Sequence, residues 1–287
     1  MKLLSYVHNG QARQALVDGD DAIDVNQAYP EISADLRSAL RAGVDLQRIA
    51  RALRSSRALR LPLSRLRYAP LLPEPGKIIC LGLNYLDHAR EAQRETPEYP
   101  WFFCRTSSSL LAHEAPGLLP RVSTKLDYEA ELALVIGRRV PRHVARDQAT
   151  SYVFGYSCFN DMSVRDYQKR TPQWTVGKNF DATGAFGPVL VTADELPDGA
   201  SGLRILGRLN GEVVQDANTR DMIFDVGTVI SLLSACMTLD PGDVIVMGTP
   251  GGVGQSRTPP LWLRQGDVFE VEIEGIGTLR NPIAAEP

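Results

Sequence analysis

The stretch Leu126-Asp-Tyr-Glu-Ala-Glu-Leu-Ala-Leu-Val-Ile-Gly137 decides what kind of fold this chain makes. The five residues before its glycine, Leu132 to Ile136, are an unbroken apolar run, so the strand they predict is buried. Side chains alternate along a strand, which sends Glu129 and Glu131 to one face. Two carboxylates are thereby carried side by side toward a core. Like charges so placed repel and lose hydration, at a cost on the order of several kcal/mol unless protons or a cation neutralise them. Taken alone, Glu-x-Glu also reads as a solvated strand face.

A second apolar strand, Tyr152-Val-Phe-Gly-Tyr-Ser-Cys-Phe-Asn-Asp161, finishes in another acid. Three carboxylates with no Cys or His set nearby favour a hard divalent ion, magnesium or manganese, over zinc. Further strands are predicted at Lys77 to Leu83, Val189 to Thr192, Arg204 to Asn210, Asp243 to Met247 and Asp267 to Glu274. One convincing helix interrupts them, where Asp225 can cap Val226 to Met237. No Gly-x-Gly-x-x-Gly follows a strand, which argues against a nucleotide-binding doubly wound sheet.

Upstream, Asp18-Gly19 between two short apolar runs reads as a hairpin. From Glu31 to Arg57 the apolar residues recur at three- and four-residue steps, with Gly43 splitting the run into two helices and the arginines between them forming a solvated face. Pro62, Pro70, Pro73, Pro75 and Gly76 then mark a connection. We therefore expect an α+β, β-rich chain with a small α+β N-terminal domain over 1–72 and a catalytic domain over 73–287.

The chain has 287 residues, with 31 basic against 34 acidic and a net charge of −3. That balance offers no basic field for nucleic acid or an anionic membrane. Its apolar runs fall far short of the roughly 20 residues that a membrane helix needs. The amino terminus turns polar at Asn9-Gly10 without a signal-peptide core, so a cytoplasmic location is expected. Four well-separated cysteines fit a reducing compartment, each as a buried thiol.

Other stretches carry residues suited to chemistry. In Gly82-Leu-Asn-Tyr-Leu-Asp-His-Ala-Arg-Glu91, a helical turn from near Leu86 would put His88 and Glu91 on neighbouring faces, the carboxylate orienting an imidazole for use as a general base. Thr175-Val-Gly-Lys-Asn-Phe180 sets Lys178 in apolar surroundings, where an ammonium can stabilise an enolate or carboxylate. The loop Gly248-Thr-Pro-Gly-Gly-Val-Gly254 offers backbone amides and Thr249 to an anion, or is a plain turn. Ser163 to Gln168 adds Arg165 and Gln168.

Taken together these segments resemble the fumarylacetoacetate hydrolase family over about Lys77 to Pro282. The matching stretches keep that family's order: Ile79 to His88, Leu126 to Glu131, Gly155 to Asp161, Gly177 to Phe180, Asn210 to Glu212, Gly242 to Ile245, Gly248 to Gly254 and Gly275 to Asn281. The resemblance implies packed, rolled β-sheets, a homodimer, and Glu129, Glu131 and Asp161 as ligands of Mg2+ or Mn2+. It places His88 and Glu91 at the positions that activate water, on a segment that orders over substrate, and Lys178, Gln168 and Thr249 at substrate-contacting positions. The expected activity is hydrolysis of a carbon–carbon bond in an acylpyruvate-type 2,4-dioxo acid in aromatic compound catabolism. A decarboxylase, isomerase or tautomerase of a related 2-oxo acid is the alternative. One departure stands out: many relatives carry lysine where this chain reads Phe103-Cys-Arg105. Arginine there offers a planar fork, and a distal substrate carboxylate is its expected partner.

Overall fold

The computed structural model describes residues 1–30, 35–54 and 58–287. The buried run becomes the strand Ala130–Ile136, every residue of which is buried. Its neighbours are Val153–Asp161 on one side and Val244–Val246 on the other, and the same sheet continues through Gly184–Thr192 in one direction and Ile78–Gly82 and Trp101–Arg105 in the other. Leu132, Leu134 and Ile136 pack toward a second sheet, against Ile205, Leu209, Phe269 and Val271. Ala133 and Val135 face the opposite side, where Leu36, Leu40, Leu46 and Leu53 of the amino-terminal helices pack. A strand covered on both faces has no polar alternation, which is why the run reads as continuous apolar sequence.

The second sheet is ordered Glu212–Asn218, Arg204–Leu209, Val268–Ile273, Gly277–Ala285 and Gly117–Leu119. The Tyr128 ring stacks on Phe269 at 4.6 Å between centroids, joining the two sheets beside the acids. The architecture is α+β and strand-rich, as the sequence indicates. The helix Val226–Cys236 starts where Asp225 accepts the Thr228 amide.

The amino-terminal hairpin pairs Asp18 with Asp21, with Gly19 in the left-handed conformation that the turn requires. Helices Leu36–Arg41 and Leu46–Arg54 flank Gly43; the expected helical ends at 31–34 and 55–57 lie outside the described residues. The strand Lys2–His8 pairs with Gly184–Thr192, so the sheet runs unbroken across the sequence division at 72/73. No helix among the described residues is long and apolar enough to cross a membrane.

Candidate active site

Strand register assembles the acids. Glu131 lies opposite Phe159 and Ala130 opposite Asn160, and the Asp161 amide donates to the Glu129 carbonyl at 3.0 Å. Asp161 therefore lands across from Glu129, on the face that Glu131 also uses. One carboxylate oxygen from each of the three lies within 4.8 Å of the others, and all three side chains are buried.

Three cations surround them. Lys178 Nζ donates to Glu129 Oε2 at 2.6 Å and to Asp161 Oδ2 at 2.5 Å. It reaches this place because Gly177 lets the Thr175–Lys178 turn close on Gln168, whose backbone nitrogen would stand 2.4 Å from any Cβ there. Arg165 pairs with Asp127 at 2.8 Å and Glu129 at 2.7 Å, and donates to Gln168 at 3.0 Å. Arg105 donates to Asp161 at 2.5 Å. Burial alone would raise the Glu129 pKa, yet Lys178 and Arg165 hold it below the ordinary carboxylate value. Burial would lower the Lys178 pKa, but Asp161 and Glu129 raise it, so the ammonium stays charged.

Four buried acids, Asp127, Glu129, Glu131 and Asp161, thus face three buried cations. Glu131 is the acid without a counterion. Its Oε2 accepts the Gly248 amide at 2.7 Å, while its Oε1 is buried with no hydrogen-bond partner. Burial first, then Asp161 and Glu129, push its pKa well above the ordinary value. A surplus carboxylate with an orphaned oxygen, in an all-oxygen donor set, fits a hard divalent ion held by Glu129, Glu131 and Asp161.

Glu129 and Glu131 line a cavity of 1030 Å³, together with His88, Glu91, Arg165, Gln168, Lys178 and Thr249, and Asp161 lies just behind that wall. Trp101, Phe103 and Trp174 form its aromatic wall, with Trp101 stacked on Trp174 at 5.5 Å. His88 sits on the short helix Leu86–Glu91, anchored where Asn84 bonds the Phe224 and Met247 carbonyls. Its Nδ1 meets Glu91 Oε1 at 2.8 Å. With that nitrogen carrying the proton, Nε2 is left as the base.

Two expectations change. Arg105 was expected to meet a distal substrate carboxylate, but it lies behind Asp161 and is absent from the cavity wall. Its nitrogens are engaged with Asp161, Ser109, Thr183 and the Met162 carbonyl, so its fork is spent on the protein. Gly184, opposite Asp161, lacks the Cβ that would stand 2.8 Å from the guanidinium. The glycine loop differs as well. Its amides at Gly248, Gly252 and Gly254 take the carboxylates of Glu131, Glu91 and Asp127, and Thr249 donates to the Ala130 carbonyl while accepting from Gln215. The three amides thus hold the protein's own acids rather than a ligand, while Thr249 stays in the cavity wall.

Sequence reasoning passed over Asp127, which accepts from Tyr128, Gly254, Gln255 and Arg165 and so joins the loop to the site. Its signal was available, since it shares the alternation of Glu129 and Glu131. Gln215, which accepts the Ala130 amide at 2.9 Å, had none, because its strand Glu212–Asn218 mixes apolar and polar residues without alternation.

Residues 77–284 match the family described as fumarylacetoacetate (FAA) hydrolase, C-terminal. The chain is 38% identical over 270 residues to the mitochondrial oxaloacetate tautomerase fahd2 of Xenopus laevis, covering 93% of this chain and 84% of that one. It superposes on the fumarylacetoacetate hydrolase of Exiguobacterium antarcticum with a TM-score of 0.86 and 35% identity, covering 100% of both chains. The maleylpyruvate hydrolase of Sphingobium sp. SYK-6, solved in complex with manganese(II) ion and pyruvate, superposes with a TM-score of 0.82 and 30% identity, again covering 100% of both.

Proposed function

The chain belongs to the fumarylacetoacetate hydrolase family, and from that premise we propose that it is a metal-dependent hydrolase cleaving a carbon–carbon bond in an acylpyruvate-type 2,4-dioxo acid, of the fumarylpyruvate or maleylpyruvate kind. The observation that carries this reading is the surplus buried carboxylate of Glu131 in the same cavity as an oriented His88–Glu91 pair. The likeness to a hydrolase solved with manganese and pyruvate supports it.

Mg2+ or Mn2+ on Glu129, Glu131 and Asp161 would supply a Lewis acid for the substrate's oxygens. His88 takes a proton from water at Nε2 while Glu91 steadies the imidazolium that forms. The hydroxide adds to the C4 carbonyl carbon and the C3–C4 bond breaks. The bond's electron pair stays with the three-carbon fragment as an enolate, and the acyl fragment leaves as a carboxylic acid. Lys178 offsets the enolate's charge. The proton held by His88 then goes to C3, giving pyruvate.

Pyruvate release from a panel of acylpyruvates with Mg2+ or Mn2+ tests the reading. His88→Ala should abolish hydrolysis and keep the metal, and Glu131→Ala should lose both; the opposite pattern overturns it. The tautomerase relative favours a second reading, in which the same enolate forms without attack by water. Oxaloacetate turnover that survives His88→Ala would decide for that one.

A further inference from the structure

Arg257 differs from the other cations of the cavity. Arg165 and Lys178 are neutralised by buried carboxylates. Arg94, Lys169 and Arg170 are exposed, and Arg170 lies over the Tyr167 ring at 3.6 Å. Arg257 lines the cavity half-buried, and among the described residues no carboxylate pairs with it. Two of its nitrogens are fixed by backbone carbonyls, Nε on Gly252 at 3.3 Å and one terminal nitrogen on Val214 at 2.7 Å. Gly252 is itself held, since its carbonyl accepts the Tyr128 hydroxyl at 3.2 Å and its amide binds Glu91.

A guanidinium pinned at two points, short of a counterion and facing a cavity wall, is a preorganised anion receptor. The cavity has room beyond the three acids: 1030 Å³ far exceeds what a chelated oxo acid head fills. Among the described residues the acids in its wall are Glu91, Glu129 and Glu131, against the cations Arg94, Arg165, Lys169, Arg170, Lys178 and Arg257, so charge in the wall favours an anion.

We propose that Arg257 binds a second carboxylate, at the far end of the substrate, and so selects dicarboxylic over monocarboxylic oxo acids. The inference rests on the oxo acid reading above and names the substrate class within it. It also moves the distal-acid role from Arg105, whose donors are all engaged, to a residue with capacity to spare.

The test is the ratio of kcat/KM for fumarylpyruvate to that for acetylpyruvate, measured with Mg2+ on the native protein, Arg257→Met and Arg257→Lys. A charge-assisted contact predicts that Arg257→Met lowers this ratio about ten- to a hundredfold, chiefly through KM, with partial recovery in Arg257→Lys. An unchanged ratio overturns the inference, even if both activities fall together. If the native protein turns over neither compound, the hydrolase reading fails by itself and binding decides about Arg257. With Mn2+ present, 2-oxoglutarate should raise the melting temperature of the native protein more than that of Arg257→Met, and oxalate should raise both alike. Equal shifts with 2-oxoglutarate, or none in either protein, overturn the inference.

Discussion

The amide of Gly252 donates to Glu91 Oε2 at 2.8 Å while the other oxygen of that carboxylate holds His88 Nδ1 at 2.8 Å. The His88 imidazole is therefore oriented, through Glu91, by a loop 161 residues from that carboxylate in sequence. That loop's Gly248 amide also binds Glu131, so one backbone segment positions both the His88–Glu91 pair and the surplus acid. In Glu91→Gln the side chain can no longer accept from both neighbours as a carboxylate does. The imidazole loses the partner that fixes its tautomer, so kcat should fall about 10²- to 10⁴-fold. The metal content should stay unchanged, because Glu91 is not among the three clustered acids. Steady-state kinetics with metal analysis check this, and a kcat within threefold of the native value contradicts it.

The raised pKa of Glu131 fixes the sign of a pH effect. Burial, Asp161 and Glu129 keep its proton on in the fold above the pH at which the unfolded chain releases it. In that window the native state binds more protons than the unfolded state, so stability falls as pH rises. Glu129 works the other way: burial notwithstanding, Lys178 and Arg165 depress its pKa. Its stabilising contribution is fully present above the ordinary carboxylate value and lost only in acid, so it adds no slope in the window. Chelator-treated protein should lose denaturant resistance as pH rises above the ordinary carboxylate value, and Glu131→Gln should flatten that slope. Mn2+ should reverse the loss and release a proton on binding. A metal-free protein whose stability does not change over that range would contradict the assignment.

The legible part of this site is the part carried by strand alternation. Glu129, Glu131 and Asp161 follow from two apolar runs and a period of two, and the His88–Glu91 pair from a three-residue helical step. Illegible were the contacts made across long separations by backbone groups, because an amide has no sequence signature. Nothing in Gly248 to Gly254 says which acid each amide will take. Arg105 misled because its charge was visible and its burial was not. The strand Trp101–Arg105 that carries it follows a proline and charge-rich segment and was not predicted. Glu212–Asn218 was missed for another reason: it reads Glu-Val-Val-Gln-Asp-Ala-Asn, without alternation.

Arg105→Lys discriminates between the two roles considered for that residue. A lysine cannot reproduce contacts to Asp161, Ser109, Thr183 and Met162 at once, and it would leave buried acceptors unsatisfied. The loss should be about 2–4 kcal/mol of stability, read as a lower denaturation midpoint. Metal affinity should weaken too, since Asp161 loses its fixed orientation. The ratio of dicarboxylic to monocarboxylic turnover should hold steady, in contrast to Arg257→Met. A selective loss of the dicarboxylic substrate would return Arg105 to the substrate's far end.

Two adjacent glycines make a matched pair for the loop. At Gly251 an added Cβ meets nothing closer than 3.5 Å, so Gly251→Ala should be tolerated. At Gly252 the backbone has φ of +100°, and a Cβ would stand 2.2 Å from the Val214 carbonyl oxygen. Gly252→Ala must shift the loop, with a stability loss on the order of 1–3 kcal/mol. The movement pulls the amide from Glu91 and the carbonyl from Arg257, while Gly248, four residues away, keeps its hold on Glu131. Gly252→Ala should therefore bind Mn2+ at near-native affinity yet lose kcat in step with Glu91→Gln. Metal titration and kinetics on the two alanine variants check this together. If Gly252→Ala is as active as Gly251→Ala, the loop does not orient the base.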